Sequence, residues 1–247
     1  MSFNLNIPTI IRQITAWRAR NLVKRISQSQ FDLFAIGTRM AVTRLVSTEL
    51  SWWTDLNGKA LGTVVLDHID QDFGWIVLVR DGVGRFCCAK LDMSIRTERR
   101  ATAELRVAMA EMVRDPAFTG VVIQGEEPKR PLNLLEDRGV PDDNLHKNYL
   151  VLRDQEARFP ARKVIEAISP WMTSSDPHLV KEFQESQFDQ RLWEIYLWTM
   201  FRDQGYDVSH MEAPDLLVKS PWFNFSVEAT TVSPSQAGPL KDHPKPE

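Results

Sequence analysis

The sequence predicts an α+β (or mixed α/β) protein: N-terminal helices and a small α+β domain with an antiparallel meander, followed by a helix-strand-strand unit. Three observations carry this prediction. Residues 61–91 hold three short apolar, β-branched runs separated by turn chemistry. Residues 188–203 form one long segment with helical spacing that stops before Gly205. Residues 213–231 hold two further strand-like runs. The 247 residues are 43% hydrophobic and 26% charged, an ordinary globular composition in a chain long enough to bury a core. Four segments follow: an N-terminal helical segment (1–60), a small α+β domain (61–160), a unit at 161–234, and a tail rich in Pro, Lys and Asp (235–247) that reads as disordered.

From Ile7 to Val46, Ile10, Ile14, Trp17, Leu22 and Ile26 recur near helical spacing among Arg12, Arg18, Arg20, Lys24 and Arg25, which predicts a basic amphipathic helical region. Leu61–Ile69, Phe73–Arg80 and Arg85–Leu91 then read as a three-stranded meander. The loop Asp81-Gly82-Val83-Gly84 lacks the glycine spacing and following helix of a phosphate loop, so it reads as a hairpin turn. Thr97 opens a helix to Arg114, with Ala101, Leu105, Ala108, Met109 and Met112 on one face. Gly120–Gln124 reads as a short strand. Residues 125–159 read as a loop and boundary, with a strand at Tyr149–Leu152 and with His146 beside Asp142 and Asp143. Ala161–Ser169 reads as a helix ended by Pro170.

The net charge of -3 and pI of about 6.0 argue against a protein that coats nucleic acid by neutralising phosphates alone, while leaving room for an acidic metal-binding centre. Cys87 and Cys88 are the only cysteines; being adjacent, they exclude a disulfide framework and a thiolate metal site. No run approaches the roughly 20 apolar residues of a membrane span, and the N-terminus lacks the pattern of a signal peptide. These features predict no membrane partner and a cytoplasmic location. Among the 8 tryptophans, Trp52 and Trp53 are the pair singled out for base stacking.

The chemistry concentrates near the C-terminus. The helix Phe188–Asp203 carries Phe188, Leu192, Ile195 and Thr199 on one face, and Trp193, Tyr196, Leu197, Met200 and Phe201 extend its apolar character round it, which predicts burial between layers. Glu194 lies on this apolar wall, where a carboxylate needs a cation or a partner such as Arg191. Asp215 and Glu228 fall on successive strands of a predicted hairpin whose turn is Lys219-Ser220-Pro221. Three acids brought together suit Mg²⁺ or Mn²⁺ and phosphodiester hydrolysis. Spacing alone leaves a second reading open, three solvated surface carboxylates.

Pro214-Asp215, twelve residues, then Glu228-Ala229-Thr230 resembles the PD-(D/E)XK pattern of restriction-endonuclease-like nucleases, over residues 187–234 only. The resemblance implies a partial restriction-endonuclease-like unit and a Mg²⁺- or Mn²⁺-dependent nuclease acting on DNA or RNA, of the kind that abounds in mobile elements and phage defence. It implies Asp215 and Glu228 as metal ligands and Glu194 as a supporting acid. Two departures stand out. Thr230 occupies the place of the family's lysine and cannot supply its positive charge, with Lys219 the nearest substitute. The family's core also continues with a helix and a strand that the last residues of this sequence do not accommodate. The alternative is therefore an inactive or truncated nuclease-like module that binds nucleic acid or protein, with an exposed sheet edge for a second copy or a partner chain.

Overall fold

Two sheets organise the described residues, each formed by consecutive antiparallel strands. The computed structural model describes residues 22–220 and 222–232. The elements in order are β1 (Val23–Ile26), α1 (Gln28–Ala35), α2 (Ala41–Val46), β2 (Ser47–Asp55), β3 (Ala60–Asp67), β4 (Phe73–Arg80), β5 (Phe86–Ile95) and α3 (Glu98–Arg114). There follow α4 (Lys147–Asp154), α5 (Phe159–Ile168), α6 (Leu179–Glu185), α7 (Phe188–Asp203), β6 (Asp207–His210), β7 (Leu216–Lys219) and β8 (Asn224–Val227), with short 3-10 turns between some of the helices.

The first sheet has the order β1-β2-β3-β4-β5 and is sandwiched. Side chains alternate across a strand, so β3 and β4 divide their apolar residues between two faces. Ala60, Val64, Trp75, Val77 and Val79 meet Ala101, Leu105 and Met109 of α3. Leu61 and Leu78 meet Phe31 and Ala35 of α1 on the other side. Buried aspartates shape two hairpins: Asp55 accepts the amides of Asn57 and Ala60 at 2.9 and 2.8 Å, and Asp81 accepts those of Val83 and Arg85 at 3.0 and 2.8 Å. The loop at residues 81–84 is thus a hairpin turn, as expected. Thr97 caps α3 by accepting the Arg100 amide.

Several expectations are corrected. Residues 1–21, which carry most of the expected basic helix, lie outside the described residues, as do 233–247, which include the expected tail. From residue 22 the region read as helical contains strand β1 between helices, and β1 and β2 extend the expected three-stranded meander to five. The boundary at 60/61 therefore falls at the edge of β3 within the paired β2–β3 hairpin. The boundary at 160/161 cuts α5. Gly120–Gln124 is not a strand but an extended segment with a single bridge, Val121 to Arg80. Tyr149–Leu152 is helical, because His146 caps α4 by accepting the Asn148 amide, and its ring stacks on Phe188.

The second core gathers Leu134, Tyr149, Ile165, Phe183, Phe188, Ile195, Trp198, Leu216 and Val218, so its helices begin their packing well before residue 161. It meets the first sheet through α1 against α5 and through Trp171, whose ring carries the Arg85 guanidinium 4.9 Å above it. Gly37 lies under that indole, and a Cβ there would overlap it. Gly37→Ala should therefore destabilise the fold by about 1–3 kcal/mol as Trp171 is displaced, read as a lower urea midpoint. An unchanged midpoint would show that this packing contributes nothing.

Candidate metal and phosphodiester site

The C-terminal unit is built from α7 and a three-stranded antiparallel sheet in the order β6-β7-β8. The sequence reading had two of these strands; β6 was missed. It is short, with Val208 its one aliphatic residue, and the clue to it is a run bounded by Gly205 and Pro214. Gly205 takes φ 93°, which ends α7 and turns the chain into β6. The helix buries Phe188, Glu194, Ile195 and Trp198, and the Trp198 indole donates to the Val208 carbonyl at 3.1 Å. It is not buried all round: Trp193 and Tyr196 are exposed and stacked on each other with centroids 5.2 Å apart.

Glu194 is 1% exposed and fully partnered. Its Oε1 accepts from Gln190 at 3.1 Å, and its Oε2 accepts from Arg191 at 2.7 Å and lies 2.9 Å from His210 Nε2. Arg191 also meets Asp176 at 2.8 Å and Glu182, whose Oε2 accepts from both Nε and Nη2. One guanidinium therefore holds three carboxylates. His210, the functional residue the sequence reading missed, is enclosed at the end of β6, with Nδ1 2.9 Å from Ser174 Oγ. The Ser174 oxygen accepts the Asp176 amide at 3.1 Å. Nε2 donating to the carboxylate and Ser174 donating to Nδ1 satisfies every group in the string. The residue types match a nucleophile-base-acid triad, but here Arg191 neutralises the acid and the imidazole is enclosed. The string acts as a clamp joining α7, β6 and the loop at residues 173–176.

The same geometry sets the titration of Glu194. Burial pushes its carboxyl pKa up, but hydrogen bonds from His210 and Arg191 outweigh burial and leave it below the ordinary 4.5. Burial lowers Arg191, yet its bonds to Glu182 and Glu194 leave its pKa raised.

The ladder places the other acids. His210 pairs with Leu216, and Leu216 pairs with Val227, so these three residues form one row across the sheet. Asp215 and Glu228 lie one residue beyond that row, at the same end as His210 and its partner Glu194. Asp215 is half-buried, and its Oδ2 accepts the Ala229 amide at 2.7 Å, which ties it to the chain neighbour of Glu228. Gln190 donates to the Ala229 carbonyl and accepts from Thr231 Oγ1, holding residues 229–231 against α7. Glu228 and Thr230 are exposed, and Glu228 forms no hydrogen bond or ion pair with a described residue. Lys219 is not in the turn but is the last residue of β7, opposite Asp207 and Asn224. Four residues of strand, roughly 13 Å, separate it from Asp215.

The three acids thus share one end of a sheet without forming one cluster. Among the described residues no group of three or more His, Cys, Asp or Glu side chains stands ready to hold a metal. Asp215 and Glu228 nevertheless fit Mg²⁺, which keeps most of its shell as water and phosphate oxygen and takes one or two carboxylates. Glu194 does not fit as a ligand, because both its oxygens are engaged and its charge is paired. No family model, curated protein or solved structure matches the chain.

Two outcomes follow from the clamp. Arg191→Met leaves three carboxylates without their cation and should cost about 3–5 kcal/mol at neutral pH, measured by urea unfolding. Because the Glu194 pKa is depressed in the folded state, its contribution is present above the unfolded value and lost as pH falls through the folded one. Glu194→Gln should therefore flatten the loss of stability below about pH 4.5. An equally steep acid limb in the variant would contradict the assignment.

Proposed function

We propose that the protein is a Mg²⁺- or Mn²⁺-dependent phosphodiester hydrolase acting on DNA or RNA, with Asp215 and Glu228 as the metal-holding pair. The observation that carries this reading is the placement of these two acids just beyond the adjoining ends of paired strands β7 and β8, with Asp215 on the Ala229 amide and Gln190 of α7 on the Ala229 carbonyl. The resemblance to PD-(D/E)XK nucleases implies a helix followed by two strands that carry the acids, and α7 followed by β7 and β8 supports that order, with β6 as an added strand. A bound cation would activate water and neutralise charge on the phosphate. The chain's own residues hold the geometry: the Ala229 amide orients Asp215, and Gln190 fixes the strand end that carries Glu228. Glu194 takes the part of a positioning residue rather than a ligand. The Thr230 hydroxyl is available to orient water or phosphate by a hydrogen bond but brings no charge.

A second reading is favoured by two observations, the sequestration of Glu194 and the threonine in place of the lysine. In it the unit binds nucleic acid or a protein partner without cleaving. Strand β8 is the edge of its sheet among the described residues, with Asn224 and Ser226 exposed, and a second copy or partner chain would add there. We place the protein in the cytoplasm on its free cysteines and on the described helices, none of which is long and apolar enough to cross a membrane.

Titrating Mg²⁺ or Mn²⁺ into the protein by calorimetry should give binding that Asp215→Ala/Glu228→Ala abolishes. Plasmid or RNA cleavage should fall by roughly a hundredfold or more in the same variant. Thr230→Lys, which puts a positive charge at the place that the resemblance gives to the family's lysine, should raise cleavage by about tenfold or more. Metal binding without cleavage in either the parent or Thr230→Lys would select the second reading. No metal binding to the parent would overturn the hydrolase.

A further inference from the structure

A cleft of about 560 Å³ opens on the first sheet, far along the sequence from the carboxylates, and its chemistry differs from theirs. Its floor is the edge of the sheet, where Arg25 of β1 and Trp53 of β2 are direct cross-strand partners and so share a face. Its roof is the first half of α3, which presents Glu98, Arg99 and Arg106. The cleft exists because α3 approaches the sheet off centre. It packs mainly over β3 and β4, where a Cβ on Gly62 would meet Met109 and Leu105 at 2.7 and 2.9 Å, and it touches β1 and β2 less.

The lining is cationic and aromatic. Three arginines and one glutamate line the cleft in a chain whose net charge is -3. Arg25 and Arg99 are exposed and form no ion pair with a described residue. The Arg106 guanidinium lies 5.0 Å over the Trp53 ring, and the indole donates to Ser51 Oγ at 3.0 Å, which fixes the ring plane. Trp52, its neighbour, is used differently: it donates to Glu49 at 2.6 Å and packs on the opposite face of the sheet. Of the two tryptophans, Trp53 lines this cleft.

We propose that this cleft binds a nucleotide unit, the base against Trp53 and Arg106 and the phosphate on Arg25 and Arg99. The pairing of a fixed aromatic face with guanidinium groups matches the two parts of a nucleotide, since every base has a π-face and every phosphate accepts a forked guanidinium. The volume lies within the roughly 300–1,000 Å³ range of small-ligand sites. The unit comes either from a single strand or from a free nucleotide, which share this chemistry. The inference stands on the N-terminal sheet and does not depend on Asp215 or Glu228.

The test uses the full chain with a chelator present, so that the carboxylate site plays no part. Fluorescence anisotropy of labelled oligothymidylate and oligouridylate is followed at low and raised salt, with adenosine monophosphate as competitor. Binding should weaken with salt, and roughly tenfold or more in Arg25→Ala/Arg99→Ala and in Trp53→Leu. Trp52→Phe, whose indole packs on the opposite face of the sheet, should bind as the parent does. Competition by the free nucleotide at similar affinity identifies a mononucleotide site, and competition only by the strand identifies a strand site; either supports the proposal. The arginine variant removes only exposed groups, and an unchanged melting temperature confirms its fold. No binding by the parent, or equal binding by the arginine variant, would overturn the proposal.

Discussion

Arg191 is the interaction on which the C-terminal unit depends. A guanidinium in a largely enclosed position meets Asp176, Glu182 and Glu194, which come from a loop, from α6 and from its own helix. Buried charge is tolerated only where it is paired and hydrogen-bonded. Here the pairing decides the packing: α7 turns its Glu194 inward because Arg191 and His210 are there to receive it. His210 then anchors β6, and its backbone amide and carbonyl bond Thr173 and Ser175 as a further extended segment beside the sheet.

This arrangement separates acids that look equivalent in sequence. Glu194 is spent internally, while Glu228 is exposed and has no described partner. Asp215 is intermediate, with one oxygen on a backbone amide. Mg²⁺ chemistry needs carboxylates that can meet water and phosphate at once. Of the three, Asp215 and Glu228 are free of cationic partners among the described residues, while Glu194 holds α7, through Gln190, against the strand end that carries Glu228.

Much of the architecture was legible in the sequence, for identifiable reasons. The bounds of α7 followed from its length and from Gly205, and α3 from Thr97 and the break at Asp115-Pro116. Strands β3 and β4 were clear because both faces are buried and the apolar runs are nearly continuous. The failures share a cause, short segments decided by tertiary context. Leu22 and Ile26 fit a helical spacing, yet residues 23–26 pair with β2; the capping box at Ser27 and Gln30 was the local sign that a helix starts only afterwards. Tyr149–Leu152 is apolar enough for a strand; it is helical, with His146 as its cap and with Tyr149 and Leu152 packed into the second core. The acids of the candidate site were visible by motif and spacing. That Glu194 is taken by Arg191 and His210 was half visible: Arg191 stands three residues away, whereas His210 meets it only once β6 has folded back on α7.

The central claim is that the cation-binding pair is Asp215 and Glu228, with Glu194 retained by the clamp. A crystal of the chain grown or soaked with Mn²⁺, recorded for anomalous scattering, tests it directly. The account predicts one anomalous peak within coordination distance of the Asp215 and Glu228 carboxylates, about 2.1–2.3 Å from their oxygens, with Glu194 still on Arg191 and His210. A peak ligated by Glu194 with Arg191 displaced, or no peak at these residues, would contradict it.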